Sequence, residues 1–240
     1  MRASRLVSAP NWRYAVAEVG LIVVAVTIAL AATSWYEGRQ DRRDEIMVLQ
    51  QLRQTLSEDL KDINIRWEMT RQRELKIMAL LNHLDSDRPY AAELAKNFQS
   101  LFGWRVVSIK TAPFEALKVR GYSMISNPML REKLISFYED HYAKLEYNSN
   151  LDRDFAIEKI QPYFFKNFVT HVTATSDVDG GAQVWVPKDY DNIKAELYIA
   201  NLGRHRADNL RRFVLRDYEN TTAIMREILD EIDQELANAN

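Results

Sequence analysis

An all-α chain with one membrane-spanning helix near its N-terminus is the architecture this sequence predicts, and three observations carry it. The stretch from Tyr14 to Tyr36 is an apolar run whose only charged residue is Glu18. Beyond it, apolar residues recur at helical spacing through nearly every segment. Of 240 residues only seven are glycine and six proline, with no low-complexity tract, Gly/Ser linker or internal repeat, which favours a compact helical product.

The run comes first in the chain. Twenty-three residues at helical rise reach about 34 Å, enough to cross a hydrocarbon core of about 30 Å with some tilt. Trp12 and Tyr14 stand at one end and Trp35 and Tyr36 at the other, where amphipathic rings prefer the headgroup level. Glu18 lies about one turn inside the first interface, within reach of headgroups, of Arg13 or of a partner in the membrane. Gly20, Ala25, Ala29 and Ala32 are small residues that would let a neighbouring helix approach, so with Glu18 they are the candidate helix-contact residues. A cleaved signal peptide is the competing reading, since Arg2, Arg5 and Arg13 make a basic n-region and Ala29-Leu30-Ala31 fits a small-x-small site. Glu18 and the uninterrupted helical pattern past the cut argue against it. Orientation is finely balanced, with three arginines before the span and Arg39, Arg42 and Arg43 after it. A short basic tail is poorly translocated, whereas a large following domain crosses largely regardless of charge, so the N-terminus is expected inside.

From Glu37 to Leu84 there is no proline, and the only glycine is Gly38, so one helix is expected to continue the span as a stalk. Leu60, Ile63, Trp67, Thr70, Glu74, Ile77, Leu81 and Leu84 follow alternating steps of three and four, a seam with a polar gap at Thr70 and Glu74. Ile46, Leu49, Leu52 and Leu56 extend it upstream. Such a seam serves either a coiled coil between copies or, the preferred reading, packing within the chain.

Asp85-Ser86-Asp87-Arg88-Pro89 ends the stalk, a short helix follows from Tyr90 to Phe102, and Gly103 is its expected terminator. Thr111-Ala112-Pro113 opens a third helix, with Thr111 able to cap, ending near Gly121. Asn127-Pro128 is the best-signalled start in the chain, because Asn127 can accept from free amides and Pro128 has none to lose. The long helix that follows carries Leu130, Leu134, Phe137, Tyr138, His141, Tyr142 and Leu145 on one face and is expected to end or kink at Pro162. Between Val169 and Pro187 β-branched residues flank Asp177-Val178-Asp179-Gly180-Gly181, which fits a small hairpin or irregular loop. Helical spacing returns over Asp191 to Leu202. After Gly203 a last helix, from about Ala207 to Leu236, carries the stripe Leu210, Val214, Tyr218, Thr221, Met225, Ile228 and Ile232, suited to packing along the stalk as an antiparallel bundle.

Chemistry-bearing motifs are scarce. Of 32 basic and 34 acidic residues, Arg2, Arg5, Arg13 and Glu18 precede residue 37, so the remainder carries 29 against 33, a formal charge of −4 with no nucleic-acid footprint. There is no cysteine, hence no disulfide framework and no thiol nucleophile. His83, His141, His171 and His205 are far apart and match no zinc spacing. Asp177, Asp179 and Gly180 resemble the opening of a calcium loop, but the twelfth position is Lys188 where a bidentate Glu is required, so they read as a turn. Glu139, Asp140, Asp230, Glu231 and Asp233 are explained as surface helix charge. Tyr163, Phe164, Phe165 and Phe168 place four rings within six positions after a proline; core is one reading, and a partner-binding surface is the alternative. No catalytic, metal or cofactor-binding residue is expected.

Arg13-Tyr14-Ala15-Val16-Ala17-Glu18, the apolar run and Ser34-Trp35-Tyr36-Glu37 together resemble a family of uncharacterised bacterial single-pass membrane proteins, in which a Glu opens the span and an Asn-x-Trp-x-Glu-like motif closes it. Phe114-Glu115-Ala116-Leu117-Lys118, Gly121, Ile125, Asn127-Pro128, Leu130-Arg131 and Phe137-Tyr138 are similar to that family's middle segment. Thr33 departs from it, standing where the family often has Asn. These patterns divide the chain into a short tail (1–13), a span (14–36), a stalk (37–88) and a helical domain (89–240), with the tail expected in the cytoplasm; the resemblance strengthens that topology, implies a bacterial inner membrane with the domain in the periplasm, and implies no activity. The functional expectation is a non-catalytic accessory or assembly subunit of a larger membrane complex, with an energy-transducing complex, photosynthetic or respiratory, as one candidate host. Its expected partners are other membrane subunits and lipid, with self-association through the stalk left open and no nucleic acid. A membrane-anchored sensor or ligand-binding module is the alternative, and an enzyme is the least favoured reading.

Overall fold

The computed structural model describes residues 12–173 and 182–239. Arg2, Arg5 and the turn at Asp177, Asp179 and Gly180 lie outside the described residues, as do the side chains of Trp12, Arg13, Tyr14 and His171. Nine α-helices and one antiparallel hairpin follow one another among the described residues: α1 (Trp12–Leu84), α2 (Leu94–Phe102), α3 (Ala112–Arg120), α4 (Pro128–Ser136), α5 (Tyr142–Phe155), α6 (Gln161–Asn167), β1 (Phe168–Thr173), β2 (Ala182–Pro187), α7 (Tyr190–Ala195), α8 (Leu197–Asn209) and α9 (Leu215–Ala237). The chain divides into two compact units, Met1–Met47 and Val48–Asn240, and α1 contributes to both. The division falls inside the segment expected to be a stalk, because residues 48–84 already belong to the helical core.

In the second unit α1 buries Leu49, Leu52, Leu56, Ile63, Ile77, Leu81 and Leu84. Every residue of the last helical stripe, from Leu210 through Val214, Tyr218, Thr221, Met225 and Ile228 to Ile232, is buried as well. The two helices run antiparallel and in register. Arg53 meets Asp233, Trp67 Nε1 donates to Glu219 at 3.2 Å, and Arg211 Nε donates to Glu74 at 3.0 Å, so partner numbers fall as positions on α1 rise. The seam that the spacing offers to a second copy is therefore filled by the chain's own helices.

Asn127 starts α4 as expected: its side-chain oxygen accepts from the amides of Met129 (3.0 Å) and Leu130 (3.2 Å), and its amide nitrogen donates to Glu235 at 2.8 Å. Thr111 makes no side-chain cap at α3, and α2 starts at Leu94, later than the spacing suggests. Pro162 does not end its helix. Helical structure continues from Pro128 to Asn167 through two π turns, Phe137–His141 and Ala156–Ile160, the second just ahead of the proline. A third π turn, Leu210–Val214, joins α8 to α9. Each coincides with apolar positions four apart in succession, as at Leu210, Val214 and Tyr218. Eight residues overshoot two α-helical turns by about 80°, and a widened turn absorbs that drift and keeps the stripe facing inward.

Gly203 likewise fails to break its helix and lies inside α8. A Cβ there would sit 3.0 Å from Leu81 Cδ2, so the glycine serves the close approach of α8 to α1. Gly121 is different: its φ of +102° ends α3 in a conformation that favours glycine.

The expected hairpin forms with Phe168 opposite Pro187 and Thr170 opposite Trp185. It lies against α2, where Trp185 meets Phe102 at a ring separation of 5.5 Å, and Trp185 also meets Phe164 of α6 at 5.7 Å. The extended segment between α2 and α3 follows α1 closely. Arg66 Nη1 donates to the Val106 carbonyl at 2.9 Å, and the Lys110 amide donates to Asp59 at 3.0 Å.

Candidate functional site

Two places bring chemistry-bearing side chains together: the apolar face of α1 in the first unit and a buried ionic network in the second.

By length and composition α1 can cross a membrane, with a mean hydropathy of 2.0 in its most apolar window, and none of that window is buried within the chain. Thr27 donates to the Val23 carbonyl at 2.8 Å and Thr33 to that of Ala29 at 3.0 Å, so both hydroxyls are satisfied inside their own helix. Trp35 and Tyr36 are exposed, and the Arg39 guanidinium lies 4.4 Å from the Trp35 ring centroid, an aromatic–cation pair suited to an interface. At about 100° per residue, Glu18, Ala25, Ala29, Ala32 and Tyr36 fall on one stripe. Gly20 lies elsewhere on the helix, about 200° round from Glu18.

Three of the four rings considered as a partner surface are core instead. Phe164 (0% exposed), Phe168 (3%) and Tyr163 (9%) are buried, and only Phe165 (60%) faces out. Phe164 and Phe168 stack at 4.3 Å, and Tyr163 donates its hydroxyl to Glu196 at 2.9 Å. Helix α6 turns its ring-bearing face onto the hairpin, so burial of these rings closes that end of the unit.

The ionic network is assembled from α1, α5, α8 and the segment after α2. Arg206 grips Asp152 with two nitrogens, Nε at 3.1 Å from Oδ1 and Nη2 at 2.9 Å from Oδ2. The same guanidinium donates to the carbonyls of Leu101 and Gly103 at the C-terminal end of α2, where a cation also suits the helix dipole. Arg73 of α1 reaches Asp152 only at 3.5 Å. Burial, and then the neighbouring Arg206, pull the Arg73 guanidinium down to about 10. At the next residue of α1 the polar gap of the seam is filled by Glu74, which is fully buried and accepts from Arg211 while pairing with Arg71. Thr70 completes the gap as the hydrogen-bond partner of Tyr218, whose phenol burial pushes up.

Sequence reasoning missed this network. Its signals were Glu74 inside an apolar seam, Arg206 between Leu202 and Leu210 on the inward stripe of α8, and Asp152 between Leu145 and Ala156 on that of α5. The carboxylates singled out from the sequence are spread over the surface: Glu139 holds Lys118 and Tyr122, Glu231 holds Lys133, and Asp233 holds Arg53. Of the histidines, His83 donates Nε2 to the Pro89 carbonyl at 3.0 Å, and His205 packs on Phe155 at 4.7 Å. Among the described residues no three His, Asp or Glu side chains are grouped to hold a metal ion. Compared with family models, with curated proteins and with solved structures, the chain matches none.

Proposed function

We propose that this chain is a non-catalytic, single-pass protein of a bacterial inner membrane that serves as an accessory or assembly subunit of a larger membrane complex. The observation that carries the reading is the contrast between its two units. The first exposes an uninterrupted apolar helix face, while the second fills its own interior with interlocked helices joined by ion pairs. Apolar surface of that extent needs lipid or another apolar helix around it. The stripe of Glu18, Ala25, Ala29 and Ala32 combines small residues with one carboxylate, a pairing suited to a neighbouring helix bearing a donor. An N-terminus inside and a periplasmic domain follow the reasoning on basic tails given above.

Extraction in mild detergent followed by native mass spectrometry tests the proposal. Reproducible co-purifying membrane subunits are expected, and a lone monomer in every extraction would sink it. Orientation is read by protease treatment of spheroplasts, in which the domain is expected to be digested from outside.

A ligand-binding role is the second reading, and one observation favours it: beside the ionic network lies a groove whose charges are far from balanced.

A further inference from the structure

The groove lies between α1 and α2, with a volume of about 440 Å³. Arg73 and Lys76 of α1, Lys96 of α2 and Arg105 of the following extended segment line it, and Glu68 is the one carboxylate among its described lining residues. Glu68 accepts a hydrogen bond from Gln72 at 2.9 Å. Among the described residues Lys76, Lys96 and Arg105 have no carboxylate within ion-pair distance, so no acidic side chain offsets them across the groove.

Arg73 distinguishes this groove from a merely solvated basic surface. Its side chain is only 11% exposed, and its one acidic neighbour is already gripped through both oxygens by Arg206. Two guanidinium charges thus share a single buried carboxylate. The molecule holds excess positive charge at the groove wall, where water screens it poorly. Gln99 and Ser100 stand beside it. Arginine offers a planar fork of donors and lysine a mobile point charge, a combination that matches the several oxygens of a phosphate group.

We propose that the groove formed by Arg73, Lys76, Lys96 and Arg105 is a binding site for a multiply charged phosphate group. Four cations against one carboxylate suit a ligand with more than one negative charge, such as a diphosphate or a phosphomonoester. The phosphate can belong to a soluble molecule or to a lipid headgroup, and the two sources separate experimentally. The site stands independently of the accessory-subunit reading.

The test uses the full chain in nanodiscs of neutral lipid, titrated with inorganic pyrophosphate at constant ionic strength so that general screening is held fixed. Saturable binding by calorimetry, with a matching rise in melting temperature, is expected. Lys96→Gln with Arg105→Gln, both at exposed positions, should weaken binding about 100-fold, roughly a factor of ten per lost contact. Arg120→Gln, at an exposed cation on α3, should leave it unchanged. Nanodiscs containing phosphatidic acid, a phosphomonoester lipid, form the second arm. Binding that depends on Lys96 and Arg105 there, without a pyrophosphate response, assigns the phosphate to a lipid headgroup and sustains the site. No saturable binding in either arm overturns the proposal, as does an equal loss in the Arg120→Gln control.

Discussion

Arg206 and Asp152, separated by 54 residues, meet through two parallel hydrogen bonds at a point where the arginine side chain is fully buried and the aspartate almost so. Their pairing joins α8 to α5, and the remaining guanidinium donors tie both to the end of α2. Three elements therefore depend on one charge pair. Asp152→Asn removes the carboxylate that two buried arginines share. Breaking such a pair leaves an uncompensated charge, so a loss of about 3 kcal/mol is expected in urea denaturation. A change below about 0.5 kcal/mol, the size of an ordinary surface substitution, would show that the pair is not a structural joint.

Two glycines on neighbouring elements should differ in how much they tolerate a side chain. Gly203→Val forces a branched side chain into Leu81 and Leu101, and a loss of about 2 kcal/mol is expected from overpacking. Gly103→Ala meets only the Gln99 carbonyl at an ordinary 3.7 Å, with φ −65°, and should leave the melting temperature nearly unchanged. Similar melting temperatures for the two variants would contradict the close helix approach.

Tyr138 stacks on Phe114 at 4.3 Å, yet its buried hydroxyl has no hydrogen-bond partner among the described residues. Burial, followed by the nearby Asp59, pushes its phenol well above the usual range. Because an unpaired buried hydroxyl costs free energy while the ring keeps its contacts, Tyr138→Phe should raise stability by about 1 kcal/mol. A destabilised variant in thermal melts would mean that the hydroxyl does have a partner in solution.

Asp59 carries a pH dependence whose sign can be stated. Burial pushes its carboxyl up from the ordinary 3.8, against the pull of the Lys110 amide that bonds to it. The folded state therefore holds this proton more tightly than the unfolded chain. Its contribution to stability is present below pH 3.8 and is lost as pH rises through the higher folded value. Asp59→Asn keeps an oxygen for the Lys110 amide and has no charge to bury. Its urea midpoint should match the wild type in acid and exceed it at pH 7. Equal differences at both pH values would exclude the effect.

Much of the fold was legible in the chain because short-range patterns carry it. Asn127-Pro128 marks a helix start through two backbone amides, and the stripe from Leu210 to Ile232 marks a buried face through spacing alone. At Pro162, where the helix was expected to end or kink, it continues past a π turn, whereas Gly203 misled because its local preference to end a helix was outweighed by contact with Leu81. The rings at Tyr163, Phe164 and Phe168 showed the same limit, since composition cannot distinguish a ring that fills a core from one that waits for a partner.

Local periodicity and hydropathy were enough for the apolar helix, the order of the helices and the residues facing inward, because each depends on neighbours within a few turns. Only the packed unit decided that the seam of α1 is closed by α9, that Glu74 and Asp152 receive arginines 137 and 54 residues away, and that Arg73 is left short of negative charge beside an open groove. Those outcomes depend on which distant side chains share one buried volume, where the low dielectric turns a single unmatched charge into a strong local preference.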